Sequence, residues 1–244
     1  MGKAEKLTRL YEEWKSCQRC ELSKGRNRVV FGDGYVGENA IALIGEGPGR
    51  QEDNTGDCFV GDAGKTLMEL LLLVNLRADP AYKYYLASRR GAAMDWVGLR
   101  AQLNTRYFFC NVVCCRPPEN RTPLLSEQKA CRERLLRLLR ILDPAIIITL
   151  GKTATKAITG QSKPIRKTRG ELFIAHLEGH VTPIPYPVFP VFHPSYLNRV
   201  GDFNKPGGEV DKALDDLLTA HRFYDARLAV CYGAPMPLRG KDTP

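Results

Sequence analysis

Apolar residues follow two patterns along this chain: short unbroken blocks, and longer segments in which they return every three or four positions. Residues 41–44, 107–113, 145–150, 172–175 and 188–192 are blocks of the first kind and predict strands. Residues 3–14, 63–76, 126–142, 153–159 and 212–227 predict helices, with Ser126 as an N-cap and Asp143-Pro144 closing that helix. Strands alternating with helices imply an α/β fold, its parallel sheet covered on both faces. Such sheets place their sites beyond the carboxyl ends of the strands. Three polar segments stand at predicted strand ends: 45–53, Asn111 onward, and 193–199.

Composition narrows the class. The chain has 244 residues, 43% hydrophobic and 26% charged, an ordinary globular mixture that suits one large domain or one domain with an insertion. Its longest apolar run, around 70–74, is far below the ~20 residues that cross a bilayer. The charged, helix-patterned beginning is unlike a secretory leader, so a cytoplasmic protein is expected. Lys and Arg total 36 against 27 acids, a formal +9. That field favours polyanions, and nucleic acid ranks above a membrane surface because no basic amphipathic helix is flanked by bulky aromatics.

Eight cysteines in such a chain are expected as thiols, so their spacing is read as metal binding before disulfides. Cys17 and Cys20 form a C-x-x-C after the first helix. Cys110, Cys114, Cys115 and Cys131 follow, with Cys58 and Cys231 apart. Four thiolates suit a tetrahedral zinc or an iron–sulfur cluster, and spacing does not choose between them. Cys58, Cys110, Cys114 and Cys231 read more simply as packing residues. Gly61-Asp62-Ala63-Gly64-Lys65-Thr66 imitates the back half of a phosphate-binding P-loop. Phe59 occupies the position of the required first glycine and no strand precedes the segment, which excludes a nucleotide-hydrolysis motif.

Taken together, the motifs resemble those of the family 4, iron–sulfur type uracil-DNA glycosylases. The resemblance rests on Cys17-Gln18-Arg19-Cys20, Val30-Phe31-Gly32-Asp33-Gly34, the run from Gly45 to Asp53, Gly56, Phe59-Val60-Gly61 and Ala63-Gly64. It continues through Asn111-Val112-Val113, Cys115-Arg116-Pro117-Pro118-Glu119-Asn120-Arg121, Cys131 and His193-Pro194-Ser195-Tyr196-Leu197. It covers roughly residues 10–225 in family order. It implies one domain over 1–232, a central, mostly parallel four-stranded sheet flanked by helices, an insertion at about 77–106, and a flexible tail at 233–244.

The same resemblance implies a [4Fe–4S] cluster on Cys17, Cys20, Cys115 and Cys131, largely structural, with Cys114 as an alternative ligand where the family has lysine. It implies a monofunctional glycosylase that flips uracil from DNA and hydrolyses its N-glycosidic bond, leaving an abasic site in base excision repair. Phe59 is expected to stack on the base, Asn111 to read its edge, and His193 to face O2, where negative charge develops. Glu46, Gly47 and Pro48 are expected to line the uracil pocket. Other uracil glycosylases carry Asp where this chain has Gly47, so Glu52 is assigned to position water and stabilise the sugar cation, with Glu46 as partner and Asp53 as a third acid. Leu197 is expected to wedge into the DNA stack, and Lys163, Arg166, Lys167, Arg169 and Arg199 to meet phosphates. His176, His180 and His221 read as surface residues.

Two departures stand out. Residues 77–106 exceed the family connection and are expected to emerge at the sheet end opposite the pocket, as a stabilising or partner-docking element on a monomer. Cys58 replaces the usual proline before Phe59. Two other readings stay open: a glycosylase of the same fold acting on another base, such as a modified cytosine in phage DNA, or a non-catalytic iron–sulfur DNA-binding protein.

Overall fold

A computed structural model of the chain describes residues 1–76, 95–177, 185–201 and 205–232. Four strands form the parallel centre of the sheet: β2 (Ile41–Gly45), β3 (Tyr107–Asn111), β4 (Ile146–Leu150) and β6 (Pro185–Val191). Two antiparallel edges, β1 (Asp33–Gly34) and β5 (Phe173–His176), widen the sheet to six strands in the order β1-β3-β2-β4-β6-β5. The four expected strands are therefore the parallel core of a broader sheet. The apolar-block pattern does not disclose β1, which has two residues and no apolar side chain. It also starts β6 too late, because Pro185 and Pro187 cannot donate ladder hydrogen bonds and so weaken a strand reading.

Both faces of the sheet are covered, as expected. Ala42 and Ile44 of β2 pack with Leu7, Leu10 and Trp14 of α1 (Lys3–Trp14) and Leu135 and Leu138 of α5 (Leu125–Leu142). The alternating residues Ile41 and Leu43 pack on the opposite face with Leu67 and Leu71 of α3 (Asp62–Leu76) and Leu217 of α8 (Glu209–Tyr232). Period-two alternation between two apolar surfaces is why the strands read as unbroken apolar blocks.

The remaining helices are α2 (Arg50–Thr55), α4 (Trp96–Leu103), α6 (Gly151–Thr159) and α7 (Pro194–Val200). Ser126 does not cap α5. The helix begins one residue earlier, and Glu127 accepts from the Leu124 N–H at 2.7 Å while gripping Arg121 with both oxygens. His221 is not a surface residue either: it is buried, donating from Nδ1 to the Leu217 carbonyl and accepting from the Tyr107 hydroxyl at 2.6 Å. Its tyrosine partner, 114 residues away in sequence, left no local signal. His176 is exposed, and His180 lies outside the described residues. Most of the 77–106 insertion and the 233–244 tail also lie outside them. The described end of the insertion, α4, leads into β3 and packs Leu99 and Leu103 into the core.

Candidate active site

A cavity of about 450 Å³ opens where β2, β3 and β6 end. Glu46–Gly49 and the first turn of α2 form one wall, Asn111 and the 116–123 loop another, and His193 with Ser195 a third; Phe59 and Gly61–Ala63 complete it. The three strand-end segments singled out in the sequence thus meet in one place.

Gly45 ends β2 between Asn111 and Phe59. A Cβ there would lie 2.4 Å from Asn111 Oδ1 and 2.7 Å from the Phe59 ring, so only glycine lets both approach the end of β2. Phe59 itself sits in the left-handed region at φ 54°, a costly conformation for an aromatic residue. Its carbonyl is pressed against Gly64, where a Cβ would come within 1.9 Å. Asn111 is 3% exposed, and its backbone carbonyl accepts from Arg134 at 2.6 Å.

His193 is fixed by Ser195. Its Nδ1 accepts from the Ser195 N–H at 3.2 Å and meets the Ser195 hydroxyl at 2.8 Å. Because Nδ1 is an acceptor, the neutral ring carries its proton on Nε2. Burial, reinforced by the positive charge of Arg199, holds its pKa down at about 4, so the ring is neutral at physiological pH.

The acids divide by partner. Glu46 accepts from Thr153 Oγ1 of α6 at 2.5 Å. Glu52 accepts from the Gly49 N–H at 3.1 Å and the Gly61 N–H at 2.7 Å, closing the capping box of α2 and tying it to the Phe59 loop. Both glutamates line the cavity. Asp53 is 1% exposed and accepts from the N–H groups of Asn27 and Arg28, so its role is to anchor the 27–28 segment.

Two residues expected at DNA are placed elsewhere. Leu197 is fully buried in the core beside α3 and α8, so it presents no wedge; its neighbours Asn198, Arg199 and Val200 are the exposed residues of α7. Arg169 is a structural cation, bidentate to Asp216 with both contacts at 2.8 Å and bonded to the Lys212 carbonyl. Arg166 contacts Tyr196 and pairs with Glu209, while Lys163, Lys167 and Arg199 are exposed. None of these basic residues lines the cavity. Arg50, Arg116 and Arg121 do, and the sequence reading missed them. Their signal was available, since all three follow a strand end within the motif segments.

Beneath this wall lies the thiol corner. Cys114 Sγ is 4.0 Å from Cys115 Sγ and 3.9 Å from Cys131 Sγ, and Cys17 and Cys20 pack against the hydrophobic core to which these three belong. Among the described residues, no three His, Cys, Asp or Glu side chains are close enough together to hold a metal ion. The surroundings nevertheless suit an anionic group. Arg134 is fully buried, bonds only carbonyls of Phe31, Asn111 and Val112, leaves Nε unpaired, and interacts electrostatically most strongly with Cys114 and Cys131. A buried guanidinium without a carboxylate is costly unless negative charge lies nearby. A cluster held by four thiolates would supply that charge. The hydrogen bond with Cys114, reinforced by the Arg26 contact to Cys115 Sγ at 3.2 Å, draws that thiol below the usual range.

Comparison with known proteins places the sequence in a family. The sequence model of the Uracil DNA glycosylase superfamily matches residues 31–218. The chain is similar to the Type-4 uracil-DNA glycosylase of Thermotoga maritima, 39% identical over 189 residues, covering 77% of this chain and 81% of that protein. It is also similar to the Type-4 uracil-DNA glycosylase of Pyrobaculum aerophilum, 31% identical over 218 residues, covering 86% and 97%. That of Sulfurisphaera tokodaii is 33% identical over 196 residues, covering 78% and 75%. With strand-end cavity, fold and sequence in agreement, the chain belongs to the uracil-DNA glycosylase superfamily, in the group of its type-4 members.

Proposed function

We propose that this protein excises uracil from DNA as a monofunctional, hydrolytic glycosylase acting in base repair. The observation that carries the reading is the meeting of Phe59, Asn111 and a neutral, Nε2-protonated His193 in one strand-end cavity. A flipped base would stack on Phe59 while the Asn111 amide donates to O4 and accepts from N3–H, a pairing that the cytosine edge does not offer. As the C1′–N1 bond breaks, His193 Nε2–H would donate to uracil O2, where the leaving group's charge collects. Because the ring is already neutral and oriented by Ser195, little reorganisation accompanies that step.

Glu52 is assigned to water and to the positive sugar. Its oxygens are pinned by Gly49 and Gly61, and each retains acceptor capacity. Glu46, steadied by Thr153, lines the base pocket with Gly47 and Pro48. Phosphates are assigned to Arg50 and Arg116 at the cavity rim, with exposed Lys163, Lys167 and Arg199 extending the surface. Cys17, Cys20, Cys115 and Cys131 are assigned to a [4Fe–4S] cluster, which would supply structural cross-linking and counter-charge for Arg134 and takes no part in the hydrolysis.

Purified protein assayed on oligonucleotides containing uracil, hypoxanthine or modified cytosine, with alkaline cleavage as readout, tests the reading. Excision at uracil is expected. Activity on a modified base alone would replace the substrate while keeping the fold. Iron and sulfide content with broad visible absorption tests the cluster, and zinc alone would overturn it.

A further inference from the structure

Phe59 is held in a left-handed backbone that its own side chain disfavours. Something outside the loop must therefore hold it. Two routes lead from Phe59 to one side chain. Along the backbone, the N–H of the preceding residue, Cys58, donates to Asp33 Oδ2 at 2.7 Å, and the other Asp33 oxygen is paired with the Arg100 guanidinium. Along the rings, Phe59 and Phe109 lie 6.0 Å apart between centroids, and the Arg100 guanidinium carbon sits 3.9 Å over the opposite partner, the Phe109 ring. Arg100 also reaches Met68 Sδ of α3 at 3.9 Å, so it joins three elements behind the aromatic wall.

We propose that Arg100, on α4 at the end of the insertion, acts with Asp33 as a positioning pair that sets the angle and rigidity of the Phe59 base platform. The pair is largely shielded, with side chains 19% and 30% exposed, so the guanidinium–carboxylate bond is stronger than a surface ion pair. Neither residue lines the cavity, and both act through Phe59. On this proposal the described end of the insertion, α4, bears on base selection through Phe59. The inference rests on Phe59 being the surface on which the base stacks.

A double-mutant cycle separates the two. Single-turnover excision from a uracil oligonucleotide and inhibition by free uracil are measured for Phe59→Ala, Arg100→Met and the double variant, with thermal unfolding alongside. Arg100→Met is expected to weaken uracil inhibition about tenfold, the scale of one charge-assisted hydrogen bond. In the Phe59→Ala background it should have no further effect. Additive losses would overturn the positioning role while leaving the platform intact. No loss with Phe59→Ala would instead overturn the platform, and the proposal with it. Arg100→Lys, which keeps a cation for Asp33, and Asp33→Asn, which keeps an acceptor for Cys58, guard against misfolding. Partial recovery of uracil affinity by either supports the pair, and losses equal to Arg100→Met at unchanged thermal stability refute it.

Discussion

His193 illustrates how one backbone amide can choose a protonation state. The Ser195 N–H can donate only to an unprotonated Nδ1, and burial disfavours the charged ring, so both influences select the same neutral tautomer. Replacing His193 by Ala is expected to slow single-turnover excision about 10²–10³-fold, the usual cost of losing one donor to a developing anion. Gel-shift affinity for DNA should be nearly unchanged. With a pKa near 4, His193 should impose no loss of rate between pH 8 and about pH 5. Stability behaves differently. His193 and His221 both titrate at about 4 when folded and near 6.5 when unfolded, so protons bind the unfolded chain first. The stability they contribute is complete above about pH 6.5 and is lost as pH falls toward 4. Urea midpoints should therefore drop across that window, and less steeply in a His221→Asn variant.

At the scale of elements, close backbone approach decides what the site tolerates. Gly64 lies in the first turns of α3, directly against the Phe59 carbonyl, and a side chain there must push the loop or the helix aside. Gly64→Ala should cost excision at least tenfold and stability about 1–3 kcal/mol by overpacking, read by chemical unfolding. Glu127 serves α5 in two ways, capping its first turn and holding Arg121 at the cavity rim. Glu127→Ala should lose about 1–2 kcal/mol and weaken DNA binding at low salt, since Arg121 is released from its fixed place. Elements whose apolar residues recur regularly are legible in the sequence: α1, α3, α5 and the four parallel strands. Those defined by pairing partners are not. β1 exists because Asp33 and Gly34 meet Phe109 and Phe108, and α7 follows from a proline–histidine start too short to show a period. The site was legible where motifs fall at strand ends. Leu197 was misread because its position in the motif says nothing about which way α7 turns its apolar face.

Across the whole molecule, the thiol corner and the cavity are two sides of one wall, joined by Arg134. That guanidinium bonds the Asn111 carbonyl and interacts electrostatically with Cys114 and Cys131. Stripping iron by chelation should therefore lower the thermal midpoint of the native protein. Arg134→Met should reduce that difference between loaded and stripped forms, since the stripped variant no longer buries an uncompensated charge. The spread of the walls along the chain also sets a timetable. The four cysteines assigned to the cluster end at Cys131, whereas the last wall of the cavity arrives with His193 on the far side of β4. Chains emerge from the ribosome amino end first, and parallel strands pair only after their crossovers are made. A nascent chain halted between these two points would hold all four thiols assigned to the cluster, yet would lack the imidazole assigned to bond cleavage. Synthesis order alone thus makes the thiols assigned to the cluster available before the imidazole assigned to bond cleavage.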